Sequence, residues 1–162
     1  MAEIKLTQGK VAIADDSDFE YLNQFKWHAA CPDDKWYARR ALPHAPGGKQ
    51  KHITMQDDLL GKPPKGMEID HKDGNGLNNK RDNIRVCTHH QNLMNKAGHG
   101  ETSKFKGVTR RKGMNKYRAS IGFFGKVIHL GYFKKEEDAA IAYNNAALKY
   151  FGDFAKLNEV RL

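Results

Sequence analysis

The sequence predicts a mixed α+β protein in two parts, and three observations carry that reading. Short runs with strand-like alternation open the chain and recur around residues 67–87. The last third carries three more strand-like runs followed by one helical run. Between these regions, residues 97–103 are small, polar and glycine-bearing, and apolar periodicity stops before them and restarts after them. Residues 1–96 and 104–162 therefore read as two small domains, which 162 residues can supply.

Taken in order, Ile4-Lys5-Leu6 and Val11-Ala12-Ile13 flank Thr7-Gln8-Gly9-Lys10 as a hairpin. Ser17 and Glu20 have capping-box spacing, and Phe19, Leu22 and Phe25 follow at helical steps. The acids Asp15, Asp16 and Asp18 suit the positive end of that helix; a calcium loop would need a glycine and a late glutamate that are missing. Trp27–Ala30 and Trp36–Arg40 read as strands around the turn at 31–34. Met67–Ile69 and Ile84–Cys87 are strands, and Asn78-Asn79 between them belong to a loop too polar to bury. Thr88 and Gln91 form a second capping box and start a helix with Asn92 in its first turn.

Beyond the linker, Phe105–Arg111, Lys116–Phe123 and Val127–Phe133 read as three antiparallel strands. Glu136-Glu137-Asp138 begin a helix in which Ala139, Ala142 or Tyr143, Ala146 and Tyr150 recur at three- and four-residue steps, and Gly152 ends it. Tyr117, Ala119 and Ile121 alternate with Lys116, Arg118, Ser120 and Gly122, so one sheet face packs on the helix and the other is polar. In the third strand Ile128 and Leu130 face inward, Val127 and His129 outward.

Composition narrows the function. No run approaches the ~20 apolar residues of a membrane span, and Met1–Lys5 does not open a secretory signal, so a cytoplasmic protein is expected. Cys31 and Cys87 cannot make a disulfide framework. Cys87-Thr88-His89-His90 is the one zinc candidate, and it reads better as a strand end and helix start, so no zinc is expected. The 28 Lys and Arg against 19 Asp and Glu give +9, placed unevenly: +2 over residues 1–97 and +7 over 98–162. Residues 102–135 hold ten basic side chains and no acid, which points to a polyanion, and nucleic acid suits a strand-like basic stretch better than a membrane does.

The segment carrying chemistry is 67–95, MEIDHKDGNGLNNKRDNIRVCTHHQNLMN. Two strands and a helix would bring Asp70, His71, Asn83 and Asn92 within reach of one another. Asp70 and Asn92 offer hard oxygens suited to Mg²⁺ or a similar ion that keeps several waters. His71, pointing the other way from its neighbour, could activate a water against a phosphate, and Asn83 could pin the long loop. This is a kit for single-metal phosphodiester hydrolysis.

This segment resembles the HNH nuclease motif in its Asp-His…Asn…Asn variant, as found in phage and intron-encoded homing endonucleases. Asp70-His71 matches the Asp-His pair, Asn83 the central Asn, and Asn92 the final ligand, with Asn83 and Asn92 following Asp70 by 13 and 22 residues. The resemblance implies a ββα-metal fold, His71 as general base, and Asp70 and Asn92 on one Mg²⁺ or Mn²⁺. One departure stands out: related sequences often carry a His-Arg pair upstream, where Met55 is followed here by Gln56-Asp57. A phosphate contact made by that pair would have to come from Arg39, Arg40 or His52, which could equally be a solvated basic face.

Residues 103–159 resemble the plant ethylene-response-factor type of DNA-binding domain. The match runs through Ser103–Val108, Leu130-Gly131-Tyr132-Phe133, Glu136–Asn144 and Leu157-Asn158. It implies a sheet laid in the major groove, with contacts carried over to Lys106, Thr109 and Arg111, beside Lys116, Arg118, Ser120 and His129 on the polar face. Arg110 is open between a phosphate contact and a solvated side chain. Thr109, Ser120 and His129 stand where the plant domains favour Arg and Trp, so groove binding carries over and their sequence preference does not.

Together these readings predict a metal-dependent endonuclease of the homing type, cutting double-stranded DNA as a monomer in a bacterial or phage-infected cell. The alternative is a DNA-binding regulator with a degenerate nuclease fold, against which intact Asp70, His71 and Asn92 argue. An RNA-directed nuclease fits less well, because a rigid sheet reads a B-form major groove better than the narrow groove of RNA.

Overall fold

The computed structural model describes residues 1–32, 34–43, 47–96, 98, 102–110 and 113–161. The architecture is mixed α+β, and the chain divides into two compact units, Met1–His89 and His90–Leu162.

The first unit opens with the hairpin of β1 (Ala2–Lys5) and β2 (Val11–Ala14), antiparallel with Ala2 opposite Ala14. Alternation turns Ile4, Ala12 and Ala14 into the core and leaves Glu3 and Lys5 in water. A 3-10 turn at Asp16–Asp18 then runs into the single-turn α1 (Phe19–Leu22). The capping box expected of Ser17 and Glu20 does not form: Ser17 lies inside the 3-10 turn, and no side chain caps α1. The neighbouring acids have a longer-range task than helix electrostatics. Asp18 is buried and accepts from Arg81 at 2.9 Å (Nε) and 2.7 Å (Nη2), and Asp15 accepts from the Arg81 amide at 2.8 Å.

β3 (His28–Ala30), β4 (Tyr37–Ala41) and β5 (His52–Thr54) form an antiparallel sheet with β4 in the centre. β5 runs straight into α2 (Met55–Leu60), whose first turn is capped by the Thr54 hydroxyl accepting from the Asp57 amide. Leu22, Trp27, Ala29, Ala38 and Met55 close the core between the hairpin, the helices and the inner sheet face. The Trp27 indole donates to the Leu22 carbonyl at 2.8 Å, so its polar edge is satisfied in the interior.

β6 (Met67–His71) and β7 (Ile84–Thr88) are an antiparallel pair with Asp70 opposite Arg85 and His71 opposite Ile84. The loop between them is anything but solvated at Asn79, which is fully buried. The expectation of a loop too polar to bury fails because β2 supplies its backbone with partners. Ile13 N–H donates to Leu77 O at 2.8 Å, and Asn79 N–H donates to Ile13 O at 2.7 Å.

α3 (His89–Asn95) follows β7 directly, which completes a ββα motif, and its residues from His90 onward belong to the second unit. That unit is the three-stranded sheet β8 (Val108–Arg110), β9 (Tyr117–Phe123) and β10 (Lys126–Phe133), with β9 central, packed on α4 (Glu136–Phe151). Val108, Ala119 and Ile121 meet Ala139, Ala140, Tyr143, Ala146 and Ala147 in two adjoining clusters. The first strand is shorter than its apolar pattern suggests, because Gly107 at φ +74 turns the chain just before it. A Cβ at Gly107 would lie 2.0 Å from the Tyr143 ring, so no other residue fits there. Asn158 ties the C-terminal segment down: it accepts from and donates to the Lys106 backbone at 2.7 and 3.0 Å, and exchanges two further bonds with Asn144.

Candidate active site and nucleic-acid interface

β6 delivers Asp70 and His71 side by side, and both are buried, each 6% exposed. Two such polar neighbours stay inside only because each has partners. The Asp70 Oδ2 accepts from Arg85 Nε at 3.1 Å and Nη2 at 2.9 Å across the hairpin. His71 Nε2 lies 3.4 Å from Asn79 Oδ1, and its ring centroid is 6.1 Å from that of Tyr37. A contact from Nε2 to an amide oxygen is a hydrogen bond when Nε2 carries the proton, which makes Nδ1 the nitrogen with the lone pair. Burial pushes the imidazole below its usual value, against opposing pulls from Asn79, Asp73 and Asp70, and Lys35 lowers it further. A neutral imidazole is the form a general base needs.

Asn83, at the mouth of β7, is a clasp. Its Oδ1 accepts from the Asp73 amide at 3.1 Å, while Nδ2 donates to Asp73 Oδ1 at 3.0 Å and to Asn78 O at 2.7 Å. Burial would raise the Asp73 carboxyl, but bonds from the Asn75 amide, Asn78 and Asn83 hold it below the usual carboxylate range. Asp70, His71, Asn79 and Asn83 are thus assembled at one end of the β6–β7 hairpin. Asn92 is the fourth residue of α3, half-buried, and belongs to the second unit.

Arg85 and Asn79 were not singled out by sequence reasoning. Arg85 could have been found from hairpin register, since the residue opposite a buried aspartate is its natural counter-ion. Asn79 carries no local signal, because its burial depends on β2.

On the sheet of the second unit, Thr109 is opposite Arg118, which is opposite Tyr132, and Ser120 is opposite His129. A bulge between His129 and Gly131 brings the His129 and Tyr132 rings to 4.7 Å. Thr109, Arg110, Lys116 and His129 are exposed, and Arg118 and Ser120 half-buried. The Arg118 Nε is buried without a hydrogen-bond partner among the described residues. Lys106 is placed differently from its neighbours in that group. It precedes β8, and its ammonium donates to the carbonyls of Met94 and Lys96 at 2.6 Å each, at the end of α3. Burial, with Lys156 nearby, brings its value down to about 8. Arg111 lies outside the described residues.

A hairpin that presents an Asp-His pair at its end and runs on into a helix defines a ββα nuclease module. Residues 49–94 match the HNH endonuclease family. The chain is 32% identical over 146 residues, 88% of its length and 75% of the relative's, to an uncharacterized HNH endonuclease of Acanthamoeba polyphaga mimivirus. It is 36% identical over 78 residues, 48% of its length and 64% of the relative's, to Protein 3.8 of Escherichia phage T7. The chain belongs to the HNH endonuclease family. Membership supports a nuclease, with DNA the substrate the family implies and a divalent metal the cofactor the family generally uses.

The donors present fit such a metal. Among the described residues no three His, Cys, Asp or Glu side chains gather into a cage. A single carboxylate with no cage of ligands around it suits an ion that leaves most of its shell to water and substrate. Among the described residues, no helix is long and apolar enough to cross a membrane.

Proposed function

We propose that the protein is a divalent-metal-dependent endonuclease of the homing type that hydrolyses a phosphodiester in double-stranded DNA. The reading rests above all on a buried His71, kept neutral by burial, beside the Asp70 carboxylate at the end of one hairpin. His71 takes a proton from the attacking water through Nδ1, while Asn79 holds the ring through Nε2. Asn83 and Asp73 keep the intervening loop in one conformation, so the base is presented without reorganisation. Asp70, steadied by Arg85, and Asn92 are the residues that would hold Mg²⁺ or Mn²⁺, which when bound stabilises charge on the phosphate and the leaving oxygen.

The second unit serves as the targeting module, a major-groove reader of the ethylene-response-factor type. Its Thr109, Lys116, Arg118, Ser120 and His129 meet the duplex, Arg111 continues that strand, and Lys106 supports the turn behind it. The exposure of Thr109, Arg110, Lys116 and His129 on a face without acids supports the assignment, since phosphate contacts need reachable donors. Viral relatives fit a protein acting in the cytoplasm of an infected cell.

Supercoiled plasmid incubated with the protein in Mg²⁺ should convert to nicked or linear forms, and chelator should stop the conversion. His71→Ala should lose ~10²–10⁴-fold in rate with duplex affinity near normal. A chain that binds duplex and never cuts in any divalent metal would be a regulator, and the catalytic reading would fall.

A further inference from the structure

We infer that the outer face of the β3–β4–β5 sheet, with Lys35, Arg39, His28 and His52, is a track for the phosphate backbone of the substrate DNA, leading to His71. The inference rests on the nuclease reading and adds a binding surface to it.

Strand alternation separates the two arginines of β4. Ala38 and Arg40 face the core, where Arg40 donates to Asp58 at 2.8 and 2.9 Å and lies 3.9 Å over the Phe25 ring. Its charge is neutralised inside the unit. Tyr37, Arg39 and Ala41 face the other way, and Arg39 sits mid-sheet, opposite His28 on one side and Thr54 on the other. The His28 and His52 rings meet edge-to-face at 5.4 Å. Burial, then His52 and Arg39, lower the proton affinity of His28, so these groups are close enough to repel one another. Among the described residues none of Lys35, Arg39, His28 and His52 pairs with a carboxylate. The Arg39 Nε is buried with no hydrogen-bond partner among them. Lys35 and Arg39 on one face with no carboxylate among them lack an anion that accepts hydrogen bonds from the guanidinium, and a phosphodiester oxygen is one.

The same face abuts the base. The Tyr37 ring stands beside His71, and Gly76 presses the β6–β7 loop against it: a Cβ there would meet the ring carbons at 2.6 Å. Lys35 is near enough to His71 to lower its proton affinity. Arg39 lies two residues, about 6.6 Å, beyond Tyr37, so its phosphate would be about one or two nucleotides from the bond reacting at His71. This also accounts for Gln56-Asp57, where resembling sequences carry His-Arg. Asp57 receives the Thr54 hydroxyl and Asp58 holds Arg40, so the start of α2 has no free cation to offer.

The test uses the full chain, a duplex carrying its mapped cut, and Lys5→Gln as an exposed charge control. Arg39→Gln should lose about tenfold in affinity and in cleavage at subsaturating enzyme, as for one charge-assisted hydrogen bond. The exposed pair Lys35→Gln with His52→Gln, which cannot unfold the core, should do likewise. Each should reduce the slope of log affinity against log salt by about 0.9 for every phosphate it no longer neutralises. An uncharged methylphosphonate within about two nucleotides of the cut should slow the wild type and leave Arg39→Gln no slower. If these variants match Lys5→Gln in slope and rate, or the methylphosphonate slows both proteins equally, the track is overturned. A changed slope on duplex RNA but not on duplex DNA overturns it as well. Should the wild type fail to cut in any divalent metal, the nuclease reading fails, and the salt slope on intact duplex still decides the track.

Discussion

His71 is fixed from several sides by Asn79 at its Nε2, by the Tyr37 ring and by the strand that also carries Asp70. Asn79 is the least obvious of these: it is wholly buried, and its Nδ2 has no hydrogen-bond partner among the described residues. The oxygen half of the group is the half that meets His71. Asn79→Ala should cost about 1–3 kcal/mol, read as a lower urea midpoint, because it leaves an imidazole nitrogen unpaired in the interior. Cleavage by the folded variant, measured well below that midpoint, should also fall, since a free ring visits orientations that do not face the water. Wild-type turnover in Asn79→Ala would mean that the strand alone orients the base.

At the scale of elements, the second unit depends on a join behind its first strand. Lys106 caps the carbonyl end of α3 through Met94 and Lys96, and its backbone is gripped by Asn158 from the far end of the chain. Its proton is held to about 8, against 10.5 when exposed. As pH rises from 8 toward 10.5 the folded chain releases this proton while the unfolded chain keeps it, so folding gains stability across that window. The neutral amine still has two N–H groups for its two carbonyls. Thermal melts from pH 7 to 10 should therefore show wild type gaining relative to Lys106→Met above pH 8, with the difference flat below it. The elements that sequence patterns reveal are those whose partners are near in the chain. β6, β7 and α4 follow period two or steps of three and four, and Gly152 stops α4 at a positive φ. β5 and α2 were missed because three residues of strand running straight into six of helix give neither period room to register.

At the scale of the whole molecule, charge is unevenly divided. The unit ending at His89 carries most of the acids, several of them bound internally, such as Asp18, Asp58 and Asp70. The exposed face of the second sheet carries cations without acids between them. Neutralising Lys116 and Arg118 together in the full chain should flatten the salt dependence of duplex binding by about 0.9 for each phosphate they meet. Unchanged binding would assign that face to a partner other than DNA. The Asp-His pair and the central Asn stand out in the sequence by residue type and spacing, and the structure gathers them at one end of the β6–β7 hairpin. The Asp70–Arg85 pairing, the burial of Asn79 and the turning away of Lys106 do not show in the sequence, because each depends on register or on chain more than ten residues distant.

The clasp of Asp15 and Asp18 on Arg81, with Ile13 bridging Leu77 and Asn79, joins segments more than sixty residues apart. Closing so long a loop is slow compared with forming a hairpin or a helical turn. The β6–β7 loop therefore reaches its final place only once the first hairpin and Arg81 have met. The basic sheet of the second unit lies later in the chain. The order of the chain therefore places the Asp70–His71 hairpin, and the clasp that orders its loop, ahead of the basic strands, so the longest closure in the first unit does not wait on them.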